Sequence, residues 1–178
     1  MSGTERYAAG ALEGWDARRW WGNRLVPVAE SSVEGRPVGI YTSHFLTGVG
    51  FPAECPLEVT LNRDERLLVP LRFRDTDFLV IGDDYGTTLV VEAGNDAVWS
   101  INPQQDIFRF VNSNVGHFVD FLGLYQALCE YGRDLGEEQE SALVDDFRAW
   151  LRHRDAAAFE DDDHWWSLIV EQVEDGFL

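Results

Sequence analysis

Between Leu57 and Val111 the chain falls into six short apolar runs, and no other feature narrows its fold as much. LEVTL, LLVPLRF, FLVIG, TTLVVEA, AVWSI and IFRFV are rich in β-branched and aromatic residues, which suit a pleated, half-buried surface. The pieces between them, NRDE, DTD, DDYG, GND and NPQQD, supply Asn, Asp, Gly and Pro, the residues that favour turns. Connectors this short join antiparallel neighbours, so the expected sheet is a twisted, meander-like one of about six strands. Leu79, Val80 and Ile81 are apolar on both faces, which places their strand centrally. Pro70 has no N–H to give and belongs on an edge or at a bulge.

The rhythm changes at Asn112-Ser113-Asn114. Phe108 and Phe110 share one face of the last strand, with Arg109 on the other. Beyond the three polar residues, Val115, Phe118, Leu122, Tyr125 and Cys129 recur at alternating spacings of three and four, which is one face of an α-helix. The polar side chains offer oxygens to the unpaired N–H groups at its start. Two more amphipathic helices follow. Leu143, Phe147, Trp150 and Leu151 line one of them; Trp166, Ile169 and Val173 line the other, with Gly176 as its stop. Strands first and helices after make the fold class α+β: an antiparallel sheet packed by helices, three of them C-terminal.

The N-terminal stretch is less regular. LEGWDARRWWG reads as a short helix interrupted by Gly14, and VAESSVEGRPVG reads as a loop. SHFLTGVGFP suits a helical turn capped by Ser43, ended at Gly48 or Gly50 and closed by Pro52. The expected division is an N-terminal extension over residues 1–40 and a domain over residues 41–178.

With 45% hydrophobic residues, seven Trp and eleven Phe in 178 positions, the chain can build a core without a disulfide or a metal. Cys55 and Cys129 form neither a framework nor a C-x-x-C pair. MSGTERYAAG lacks the charged start and apolar stretch of a signal peptide, and no apolar run approaches a membrane span. A cytoplasmic protein with no membrane partner is expected. All fourteen basic residues are Arg and stand against 32 acids, a net charge of -18. Residues 134–178 alone contribute -11. Such a field repels nucleic acid and attracts basic partners or cations, although it also serves solubility.

Motifs of catalysis fail one by one. HRDAAAF has the letters of a kinase catalytic loop, but Glu160 stands where its metal-binding Asn belongs, and no Gly-rich loop precedes it. It reads as a charged helix C-terminus. GVGFPAEC lacks the third Gly of a dinucleotide fingerprint and reads as a turn. Cys129 falls on an apolar helix face, and Cys55 follows Glu54 in an acidic protein, which disfavours a thiolate. His44, His117, His153 and His164 are scattered, His117 reading as a half-buried structural residue. No catalytic residue, metal ligand or cofactor is assigned.

Two acidic stretches remain. EDDDHWW, with Asp161, Asp162, Asp163 and Trp165, admits a helix start, a protein-binding patch or a cation site, although the turn Gly and ligand offsets of a calcium loop are absent. IGDDYGTT places Asp83, Asp84 and Tyr85 at a hairpin tip. The turn itself explains its Asp and Gly, and acids beside an exposed aromatic also make an interaction epitope.

Four stretches in this order, GVGFP, LVIGDDYGTTLVVEA, FRFVNSNVGHFVDFL and WWSLIVEQVEDGFL, carry a resemblance. Over residues 40 to 178 the chain resembles the SUKH superfamily of bacterial immunity proteins, in particular its fourth subgroup. The resemblance implies a twisted sheet packed by helices and no catalytic residues. It also implies protection of the cell by binding a toxin domain, often a nuclease or nucleic-acid deaminase of a polymorphic toxin system. Toxin-facing residues vary within the superfamily, so candidates come from this sequence: Asp83, Asp84, Tyr85, Asp161, Asp162, Asp163 and Trp165, meeting a basic toxin domain rather than nucleic acid. The alternative is an intracellular scaffold or regulatory module built on the same fold.

Overall fold

The computed structural model describes residues 15–133 and 135–175. Along the chain come α1 (Ala17–Trp21), β1 (Leu25–Val26), α2 (Glu30–Val33), α3 (Ile40–Gly48) and β2 (Phe51–Pro52). The sheet strands follow: β3 (Val59–Leu61), β4 (Pro70–Phe73), β5 (Thr76–Asp84), β6 (Thr87–Glu92), β7 (Val98–Asn102) and β8 (Ile107–Asn112). Three C-terminal helices, α4 (Val115–Gly132), α5 (Glu137–Arg154) and α6 (Trp165–Glu174), close the chain, with a 3-10 turn at Ala156–Phe159. β1 and β2 form a small antiparallel pair, and the other six strands form one antiparallel sheet. The fold is α+β, as the order of its patterns requires.

β5 is central. It pairs with β6 along one edge, and with β3 and then β4 along the other. β3 and β4 thus act as one interrupted partner strand, and Pro70 sits in the outer of these positions, where no further strand needs its missing N–H. A bulge between Val80 and Gly82 bends β5 and helps the sheet curl. The curl brings opposite edges together: the Phe73 and Phe108 rings lie 5.8 Å apart, and Arg74 pairs with Asp106 at 2.6 Å. Phe78, Val90 and Ile101 are buried within this concave face.

The other face holds the main core. Leu79, Ile81, Leu89, Val91, Val98 and Val111 are all at most 1% exposed beneath the helices. α4 is their hub, burying Val115, Phe118, Phe121, Leu122, Leu124 and Leu128, at roughly 1.5–3 kcal/mol for each large apolar side chain. It is buried on more than the single stripe that its spacing suggests. Trp21 from α1 is packed into the same core, its Nε1 donating to the Val119 carbonyl at 3.0 Å.

Several local expectations need correction. Residues 28–39 are not all loop, since Glu30–Val33 make a helical turn. Ser43 does not cap its helix: α3 already begins at Ile40, and Gly39 occupies the cap position. The cap is supplied from elsewhere, because Thr42 N and Oγ1 both donate to Asp96 Oδ1, at 2.8 and 2.7 Å. A Cβ on Gly39 would overlap the Asp96 side chain, so Gly at that position permits this cap. Gly14 and Gly176, read as an interruption and a stop, lie outside the described residues.

The junction after β8 divides its labour. Asn114 alone caps α4, its Oδ1 accepting from His117 N at 2.9 Å. Asn112 Nδ2, Ser113 N and Ser113 Oγ instead donate to Asp155, at 3.0, 2.8 and 2.7 Å. Asn112 Oδ1 accepts from Trp166 Nε1 at 2.8 Å. Three polar residues in a row therefore start one helix and fasten the ends of α5 and α6 to the last strand.

Candidate functional site

The β5–β6 hairpin turns through Tyr85 and Gly86 alone, because Asp84 pairs directly with Thr87. Both turn residues have positive φ, 26° and 109°, the condition for a tight hairpin turn. Gly adopts it freely. Tyr does so at a cost, and its side chain is 86% exposed. The turn is braced from β7: Asn102 Nδ2 donates to the Gly86 carbonyl at 2.6 Å, and Ser100 Oγ donates to Thr87 Oγ1 at 2.6 Å.

Strand alternation separates the two neighbouring acids. Asp84 lies opposite Val59 on the face covered by helices, whereas Asp83 lies opposite Thr60 on the other face, exposed. Asp84 reaches α6, where its Oδ2 accepts from Trp165 Nε1 at 2.7 Å. The hairpin tip and the start of the last helix, 81 residues apart, thus form one site. Trp165 is itself only 5% exposed and packs edge-on to Trp166 and Phe118. It is a wall that orients Asp84, not a protruding anchor.

Between turn and helix runs a groove of about 840 Å³. Asp84, Tyr85 and Asn102 form one side, while Trp165, Leu168 and Gln172 form the other. Leu57 and Glu58, at one end, also have positive φ, 60° and 56°. Burial pushes the Asp84 carboxyl above the ordinary range; the Trp165 bond opposes this, and the charges of Asp83 and Glu58 add to it. Among the described residues no arginine forms a salt bridge with Asp84. A second concavity, of about 490 Å³ between α5 and α6, differs in that respect, since its Arg148 already binds Asp145 and Glu174.

Asp161, Asp162 and Asp163 are exposed in the turn before α6 and do not line the groove. Their carboxylates do not cap the helix. The cap residue is His164, without a side-chain cap bond, and Asp161 Oδ1 accepts from Asp163 N at 2.9 Å within the turn. Among the described residues no group of three His, Cys, Asp or Glu could hold a metal ion, and no helix is long and apolar enough to cross a membrane. Burial pushes the Cys55 thiol up to about 12, the reverse of what a nucleophile requires.

Asp155, from the HRD stretch, has a structural role that pattern reading missed. It is 5% exposed and tied to Asn112 and Ser113, with His117 Nδ1 3.3 Å away. Its hydroxyl, amide and imidazole neighbours superficially suggest a catalytic triad. Ser113 Oγ, however, donates to the carboxylate and not to the histidine, so no base is placed to activate it. The cluster is a clasp.

A family model described as SUKH-4 immunity protein matches residues 12–172, nearly the whole chain. The chain belongs to the SUKH-4 immunity protein family. No curated protein and no solved structure matches it significantly. Membership gives the chain an immunity role, which implies binding a cognate toxin protein. In this SUKH-4 chain the β5–β6 turn and the start of α6 meet beside one groove.

Proposed function

We propose that the protein neutralises, by binding and without catalysis, a basic toxin domain that attacks nucleic acid. That domain would be a nuclease or deaminase of a bacterial polymorphic toxin system, met in the cytoplasm. Family membership supports the immunity role, and one observation carries the finer reading: a net charge of -18, with -11 of it in residues 134–178. A domain that grips phosphates presents a positive surface, which such a field attracts while it repels nucleic acid itself.

The acidic residues would share the work by exposure. Asp83, Asp161, Asp162 and Asp163, exposed to water, steer the encounter, since rim charges act chiefly on association rates. Asp84 and Tyr85 form the contact, with Trp165 as the wall that orients Asp84. The test is growth rescue: the toxin domain encoded beside this gene is induced in a naive host, with and without this protein. Rescue together with co-purification is the expected result. Failure of both, with the protein folded, refutes the pairing.

A further inference from the structure

The immunity reading leaves open what part of the toxin is held, and the following inference rests on that reading. We propose that the groove between the β5–β6 turn and α6 receives a toxin loop whose arginine or lysine lies against Asp84, while Tyr85 packs outward onto the toxin surface.

The argument begins with an incomplete carboxylate. Trp165 Nε1 occupies Asp84 Oδ2 at 2.7 Å; Arg109 in the same groove only partly offsets the charge, and among the described residues no arginine forms a salt bridge with it. Other acids removed from water here are matched from within: Asp120 has Arg154 at 2.6 Å, and Asp155 has four contacts from Asn112, Ser113 and His117. A half-buried anion near Asp83 and Glu58 is unfavourable in the free protein. An incoming guanidinium or ammonium would reverse that penalty by supplying both charge and donors.

The surroundings suit the stem of such a side chain. Leu168 and Ile169 line the groove beside the Trp165 wall, and the methylenes of Arg or Lys pack on apolar surface while the head remains polar. Arg109 also lines the groove and forms no salt bridge among the described residues. It offers donors to a carbonyl or carboxylate of the same loop. A phosphate backbone would instead meet Asp84 and Glu58, so the groove favours a protein segment over nucleic acid.

Tyr85 completes the case. Asn or Gly would occupy its positive-φ position with less strain, yet a large aromatic stands there, 86% exposed and supporting no core. Aromatics presented in this way are frequent binding hot spots. Leu57 and Glu58 also have positive φ at the same groove.

The test is calorimetric titration of the toxin domain encoded beside the gene with full-length protein and three variants. Asp84→Asn keeps the oxygen that Trp165 needs, and Tyr85→Gly keeps the turn. Asp75→Asn, at the fully exposed far end of the sheet, is the control. The expected result is binding weakened about tenfold or more by each groove variant, and within about twofold for the control. Melting temperatures of the groove variants should match or exceed the parent's. If the parent protein binds and inhibits the toxin but both groove variants bind within about twofold of it, the groove proposal is overturned and the immunity reading stands. If the parent neither binds nor inhibits, both fall.

Discussion

Asp155 is buried and Asp84 half-buried, and their environments push their carboxyls in opposite directions. At Asp155 burial opposes ionisation, yet the His117, Ser113 and Asn112 neighbours outweigh it and hold the carboxyl at about 2, below its ordinary 3.8. A lowered folded-state pKa means stability that is present above pH 3.8 and lost as pH falls toward 2, roughly 2 kcal/mol in all. Asp155→Asn sets an amide N–H₂ against existing donors and should cost about 2–4 kcal/mol in urea unfolding at neutral pH. That cost should shrink on acidification toward pH 2. Asp84 behaves inversely. Its raised pKa means that the folded state holds the proton more readily, so stability falls as pH rises through that pKa and the ionised form burdens the fold at neutral pH. Asp84→Asn should therefore melt at the same or higher temperature while binding toxin less well. A clear loss of stability would mean that the carboxylate serves the fold.

At the scale of elements, β5 and its hairpin unite fold and site. Gly82 follows the bulge, and a Cβ there would overlap the Thr60 carbonyl oxygen on β3. Gly82→Ala should cost about 1–3 kcal/mol by forcing the two strands apart. Hydrogen exchange should show the loss in β3 and in the tip of β5 before β7 and β8. The strands themselves were legible in the sequence, because alternation and turn residues act over neighbouring positions. Pro70 and the Leu79–Ile81 run were informative for the same reason. What escaped depends on distant partners. The cap of α3 comes from Asp96, 54 residues from Thr42, so Ser43 looked like the nearest candidate. Asn112 and Ser113 read as caps because nothing local announces Asp155, over 40 residues on. Likewise Asp83 and Asp84 read as one acidic pair until the strand's alternation assigned them to opposite faces.

Across the whole molecule, the -18 charge has a kinetic consequence. Association with a basic toxin should slow markedly as salt rises beyond about 0.15 M, where the Debye length is about 8 Å, while dissociation changes less. Neutralising Asp161, Asp162 and Asp163 together should lower the association rate measurably in stopped-flow mixing. The immunity family was legible from four motifs in order, whereas the groove was not, since Trp165 and Asp84 meet only in the folded chain. The most direct measurement of the central claim is a titration of the neighbour-encoded toxin's nucleic-acid-degrading or deaminating activity with purified protein. The account predicts loss of that activity at one equivalent, with a stable complex at moderate salt. Undiminished toxin activity in the presence of excess folded protein would contradict it.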